Sequence, residues 1–209
     1  MPHNKISKIK LVLSQLGMKE STPTNWPNHV KYVNNNIYSK LLTGDQLEAI
    51  GLKKPNNKNL IKEKPQLVCK LVKIKPILNE SHPAFGQFGL FSARRLPPNS
   101  HIIDYLGYVH PDDESDEASD YDLVLDRSHG GVAIDAKNYG TEARMINDYR
   151  RIQERPNVKF DVRRVDGVLK IGIFTLDKSI EKGVELCINY GKGFWDNRSD
   201  IIPSTNDKL

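Results

Sequence analysis

Two tyrosines occupy similar settings. Tyr105 lies in Asp104-Tyr105-Leu106-Gly107 and Tyr190 in Ile188-Asn189-Tyr190-Gly191, so each closes a short strand-like run just before a glycine. A tyrosine ring packs on aliphatic groups while its hydroxyl orients a polar partner. In isolation, each is equally an ordinary sheet aromatic. Phe85-Gly86-Gln87-Phe88-Gly89-Leu90-Phe91 carries two glycines, Gly86 and Gly89. Glycine lets backbone amides and carbonyls approach a ligand closely, and it also serves a plain hairpin turn. Glu142-Ala143-Arg144-Met145-Ile146-Asn147-Asp148-Tyr149 offers an arginine and an asparagine. Arg144 suits an ion pair, Asn147 suits a loop cap, and both suit the polar end of a ligand. The only cysteines, Cys69 and Cys187, are far apart and give neither a disulfide framework nor a zinc cluster. No metal is expected. A reducing compartment, nucleus or cytoplasm, follows as the expectation.

The elements that position these residues change character along the chain. Residues 4–17 place Ile6, Ile9, Leu11, Leu13 and Leu16 at roughly helical spacing. A second helix is expected over Val30, Val33, Ile37, Leu41 and Leu42. A short third one is expected over Gln46–Ile50, capped by Thr43 or Asp45. Residues 51–65 are polar with two prolines and read as a linker. From Gln66 onward come short strand candidates: 67–74, 89–93, 101–108, 123–126, 132–135, 158–164, 169–175 and 184–190. Asp166-Gly167 is a hairpin signal, because both residues tolerate positive φ. Many short strands and few helices argue for a mainly β architecture, not an alternating βα layer.

The charge is uneven. Residues 1–66 hold eleven lysines and four acids, a net +7 in a chain of net +5. Solvated helix faces account for this, and attraction to nucleic acid is the sharper alternative. No apolar run approaches the ~18 residues of a membrane span, so no membrane partner is expected. Residues 111–120, rich in Asp and Glu, read as a solvated loop, with attraction of a lysine-rich segment as the functional alternative. They lack the glycine and spaced glutamate of a calcium loop.

Four blocks, in order, resemble those of the SET family of protein-lysine methyltransferases. Gly89-Leu90-Phe91 is similar to its opening strand, and Tyr105-Leu106-Gly107 to its Tyr-x-Gly. Arg144-Met145-Ile146-Asn147-Asp148 is similar to its Arg-Phe-Ile-Asn-His. Glu185-Leu186-Cys187-Ile188-Asn189-Tyr190-Gly191 is similar to its Glu-Leu-x-x-x-Tyr-Gly. The resemblance implies a fold of several small β-sheets with a C-terminal pseudoknot. It would occupy residues 65–196, after a basic helical extension and linker (1–64) and before a tail (197–209). It implies S-adenosylmethionine as methyl donor and a lysine in a protein or peptide, histone or non-histone, as acceptor. Tyr190 and Tyr105 would be the catalytic tyrosines. Gly86, Phe88, Gly89, Phe91, Arg144, Asn147 and Trp195 would bind the donor.

Three departures stand out. Gln87-Phe88-Gly89 replaces the usual Gly-x-Gly, and Asp148 replaces the usual His. No cysteine-rich segment follows Gly191, so Phe194 and Trp195 become the residues expected to close the site. Ile188 falls where the family often sets the number of methyl groups added. A SET-like module with weak catalysis that binds chromatin or a protein partner is the competing reading.

Overall fold

The computed structural model describes residues 22–52 and 68–191. The expected helix at 4–17, most of the linker, Phe194, Trp195 and the tail lie outside the described residues. Every β element that follows is short, and five small sheets share one hydrophobic core. The mainly β expectation therefore holds.

The first correction concerns residues 30–42, which form strands, not a helix. Lys31–Tyr32 (β1) pairs in parallel with Tyr139–Gly140 (β9), and Ile37–Tyr38 (β2) pairs in parallel with Tyr108–Pro111 (β6). β-Branched Val30, Val33 and Ile37 surround Asn34-Asn35-Asn36, and asparagine competes with helical hydrogen bonds. The sheet edges supply what a helix would have to supply itself. The Val33 amide donates to Gly140 O at 3.0 Å and the Ser39 amide to Val109 O at 2.8 Å. The spacing is consistent with this: Val30, Val33 and Leu42 are buried while Leu41 is 66% exposed.

The short third helix forms over Gly44–Ala49 (α1). Thr43 caps it reciprocally: the Gln46 amide donates to Thr43 Oγ1 at 3.2 Å, and the Thr43 amide to Gln46 Oε1 at 2.9 Å. The helix is tied to the later sheets. Gln46 Nε2 donates to Gly131 O, and the Leu169 amide donates to Ile50 O at 2.8 Å. Gly51 has φ +85°, and a Cβ there would lie 2.0 Å from Gly167 O. Residues 22–52 are thus integrated with the body of the protein.

Val72–Pro76 (β3) and Phe88–Ser92 (β4) form an antiparallel pair. The expected strand over 101–108 divides into His101–Tyr105 (β5) and β6. A Cβ at Gly107 would meet Asp135 O at 2.3 Å, so the chain bends where it crosses that backbone. Asp122–Asp126 (β7) and Val132–Asp135 (β8) complete the sheet ordered β2-β6-β8-β7. Val158–Val165 (β11) and Val168–Thr175 (β12) form the expected hairpin, with Asp166 at φ 51° and Gly167 at φ 87°, and β12 also pairs with β5.

The candidate strand over 184–190 keeps only Cys187–Ile188 (β13), which runs parallel to Asn147–Asp148 (β10). This pairing brings together the blocks that hold Asn147 and Tyr190, about forty residues apart in sequence. Asn157 fastens the crossing: its Nδ2 donates to Glu185 O at 2.7 Å, and its Oδ1 accepts from the Cys187 amide at 2.9 Å. The acidic run is largely exposed, as expected of a solvated loop, and is tied to the body at two points. Glu114 accepts from Ser39 Oγ at 2.6 Å and from Tyr108 Oη at 2.8 Å, and Lys137 pairs with Asp116 at 2.5 Å.

Candidate active site

Three consecutive residues at the β10–β13 crossing organise the site. Ile146 O accepts the Tyr190 hydroxyl at 2.6 Å. Asn147 directs its Nδ2 to Glu185 Oε1 at 2.9 Å. Asp148 Oδ2 accepts the Tyr190 amide at 2.8 Å and also pairs with the Arg150 guanidinium at 2.8 Å. Backbone and hydroxyl of Tyr190 are thereby fixed from one short segment. Asp148, which departs from the family histidine, holds Tyr190 in place.

Tyr190 lies close to Tyr105 and Tyr121. The Tyr105 hydroxyl donates to Tyr121 O at 2.7 Å, and its ring meets Phe160 edge-on at 5.3 Å. Burial raises the pKa of both Tyr105 and Tyr190; after burial, the Tyr190 phenol pushes Tyr105 up while Arg144 opposes it, and the charge of Asp148 pushes Tyr190 up. Both are therefore neutral phenols at physiological pH. Each donates its proton to a backbone carbonyl. Neither is suited to act as a phenolate base.

Arg144 is buried behind this cluster. Its guanidinium lies 4.1 Å from the Tyr121 ring centre, and its Nε donates to Ala136 O at 2.8 Å. Nη2 reaches Lys137 O at 3.5 Å. These contacts make Arg144 a brace for the aromatic wall, where the sequence suggested a direct contact with the donor.

Phe88, Gly89, Asn147 and Glu185 form a second group of contacts. Gly89 has an ordinary backbone, yet a Cβ there would sit 2.7 Å from Glu185 Oε1 and 2.9 Å from Ile77 Cδ1. Close approach, not positive φ, requires glycine at this position. Gly86 differs: its φ is +80° and its Cβ position is open, so it serves the turn. Phe88 is 38% exposed, and its carbonyl oxygen is 3.4 Å from Asn147 Nδ2. Phe91 is half-buried with Lys75 Nζ 4.6 Å from its ring centre. Glu185 also meets His82, Nε2 to Oε2 at 3.1 Å.

The structure thus brings together Tyr105, Tyr190, Phe88, Gly89 and Asn147, and sets Gly86 and Arg144 in supporting positions. The sequence reading did not assign Tyr121, His82 or Glu185. Glu185 stood inside a quoted block, where its adjacency to Gly89 was the missing information. Tyr121 and His82 carry no sequence signal, because only the tertiary fold delivers them.

The SET domain family model matches residues 87–191, just over half of the chain. The chain is 32% identical over 118 residues to histone-lysine N-methyltransferase EHMT1 of Homo sapiens, covering 55% of this chain. It is 31% identical over 175 residues to inactive histone-lysine N-methyltransferase 2E of Homo sapiens, covering 79% of this chain. In both cases the match spans only 9% of the relative's own length. With the matched segment ending on Gly191, just beyond Tyr190, and containing the whole β10–β13 crossing, this chain belongs to the SET domain family.

Proposed function

We propose that this protein transfers a methyl group from S-adenosylmethionine to the side-chain amine of a lysine in a protein substrate. The observation that carries this reading is the joining, through Ile146–Asp148, of a cluster of neutral tyrosines to a polar cluster of Gly89, Asn147 and Glu185. The donor supplies an electrophilic methyl on a sulfonium. The residues around Gly89 suit such a cation, because the Glu185 carboxylate sets negative charge close beside them.

The lysine amine must arrive unprotonated, against an ordinary pKa near ~10.4. Tyr105, Tyr121 and Ile188 would form a desolvated wall that lowers that pKa, and a nearby cation lowers it further. The Tyr190 oxygen, its proton held by Ile146 O, would accept from the amine and align its lone pair. No metal enters this account. Among the described residues, no three His, Cys, Asp or Glu side chains group together to hold one.

The relatives' names point to histones and hence the nucleus, and a cytoplasmic protein lysine fits the same wall. A second reading is a weakly catalytic module that binds a partner. It is favoured by the relative named inactive, together with Gln87 and Asp148 in place of family residues. Calorimetry with S-adenosylmethionine and S-adenosylhomocysteine, with and without chelator, tests the proposal. Tight, chelator-independent binding supports it, and no binding by folded protein sinks it. Binding without methyl transfer favours the second reading.

A further inference from the structure

Asn147 has two neighbours that can only accept. Its Nδ2 lies 2.9 Å from Glu185 Oε1 and 3.4 Å from Phe88 O. A carboxylate and a carbonyl have no proton to give, so the amide nitrogen must face them. The amide oxygen is then left for a donor on the other side. The orientation of this asparagine is thus set by its hydrogen-bond partners.

Glu185 is itself held. His82 Nδ1 accepts the Ala84 amide at 3.0 Å, so Nδ1 carries no proton. The ring hydrogen is therefore on Nε2, which donates to Glu185 Oε2 at 3.1 Å. Both side chains are nearly enclosed, at 8% and 10% exposure. The backbone of Glu185 is fixed by Asn157 Nδ2 at its carbonyl and by a bridge to Phe91. Gly89 completes the arrangement, since a side chain there would occupy the place of the carboxylate.

We propose that Glu185 is a positioning residue for the methyl donor: it turns the Asn147 amide oxygen toward the donor's α-ammonium group, and His82 holds the carboxylate in place. This inference rests on the methyltransferase reading. It gives the His82 loop, between β3 and β4, a part in donor recognition that lies outside the four family-like blocks. Glu185→Gln removes the constraint, because a glutamine can present either its oxygen or its nitrogen to Asn147.

The test is calorimetry on the full chain with two ligands. S-adenosylhomocysteine carries the ammonium group, and 5′-methylthioadenosine lacks the whole amino-acid end. Glu185→Gln is expected to weaken S-adenosylhomocysteine by about tenfold or more, in line with losing one hydrogen bond to a charged group. Affinity for 5′-methylthioadenosine is expected to stay within about twofold. His82→Ala, on an outer loop, should show the same selectivity at about threefold; it decides the matter if Glu185→Gln does not fold. Unchanged affinity for S-adenosylhomocysteine in a folded variant overturns the inference. Equal loss of both ligands also overturns it, because that is general damage to the pocket. Wild-type protein that binds neither ligand overturns the methyltransferase reading instead.

Discussion

Tyr190→Phe removes one oxygen and keeps the ring. In the folded protein that oxygen does two things: it donates to Ile146 O at 2.6 Å, and in the proposed reaction it accepts from the lysine amine. The first loss leaves a carbonyl at the β10–β13 crossing without its phenolic partner. That costs about 1–3 kcal/mol of stability, toward the lower end because the Tyr190 amide stays bound to Asp148. The second loss acts on the barrier. One preorganised contact is worth roughly 2.7–4 kcal/mol in a transition state, so turnover falls by about a hundredfold or more. Donor affinity should change much less, because Asn147 and Gly89 belong to the second group of contacts. The assay is single-turnover methyl transfer with saturating donor, beside thermal melts and donor calorimetry. Near-normal transfer by folded Tyr190→Phe would refute the assignment. Lost donor binding with intact folding would move Tyr190 from the chemistry to the donor pocket.

Three further outcomes follow from the same structure. Tyr105→Phe loses one hydrogen bond, to Tyr121 O, so it should cost about 1 kcal/mol in melts and slow transfer less than Tyr190→Phe, with mass spectrometry reading any change in the number of methyl groups added. His110 is buried, donates from Nδ1 to Pro111 O and has Nε2 3.4 Å from Asp122 Oδ1; this carboxylate raises its pKa from 6.5 to about 9. Its stabilisation is therefore complete below about pH 6.5 and is lost as pH rises through about 9, so the melting temperature should fall across that window more steeply in wild type than in His110→Asn. A chain starting at Lys64 loses β1, β2 and α1, which uncovers the edges of β6 and β9; it should melt well below the full chain or fail to fold, and a melt equal to wild type would show that 1–63 is separable after all.

Much of the site was legible because its residues lie in blocks with their own texture. Gly89, Tyr105, Asn147 and Tyr190 each stand in a recognisable run, and the hairpin at Asp166-Gly167 follows from positive φ alone. Residues 30–42 were misread because apolar spacing is ambiguous over short stretches. Two-residue strands such as β1 and β2 exist only through the partners they meet. The place where the Arg144 guanidinium ends, on Tyr121 and two carbonyls, is likewise set only by the tertiary fold. Asp148 looked like a loss beside the family histidine, and its carboxylate proves to tie Tyr190 to Arg150. His82 and Glu185 are 103 positions apart, and no local pattern links them.

The most direct measurement is transfer of labelled methyl from S-adenosylmethionine to purified histones and to a cell extract, by wild type and Tyr190→Phe in parallel. Label recovered on a lysine side chain with wild type, and reduced about a hundredfold with the variant, is the predicted result. Folded wild-type protein that binds the donor yet labels no lysine in either substrate pool would contradict the account.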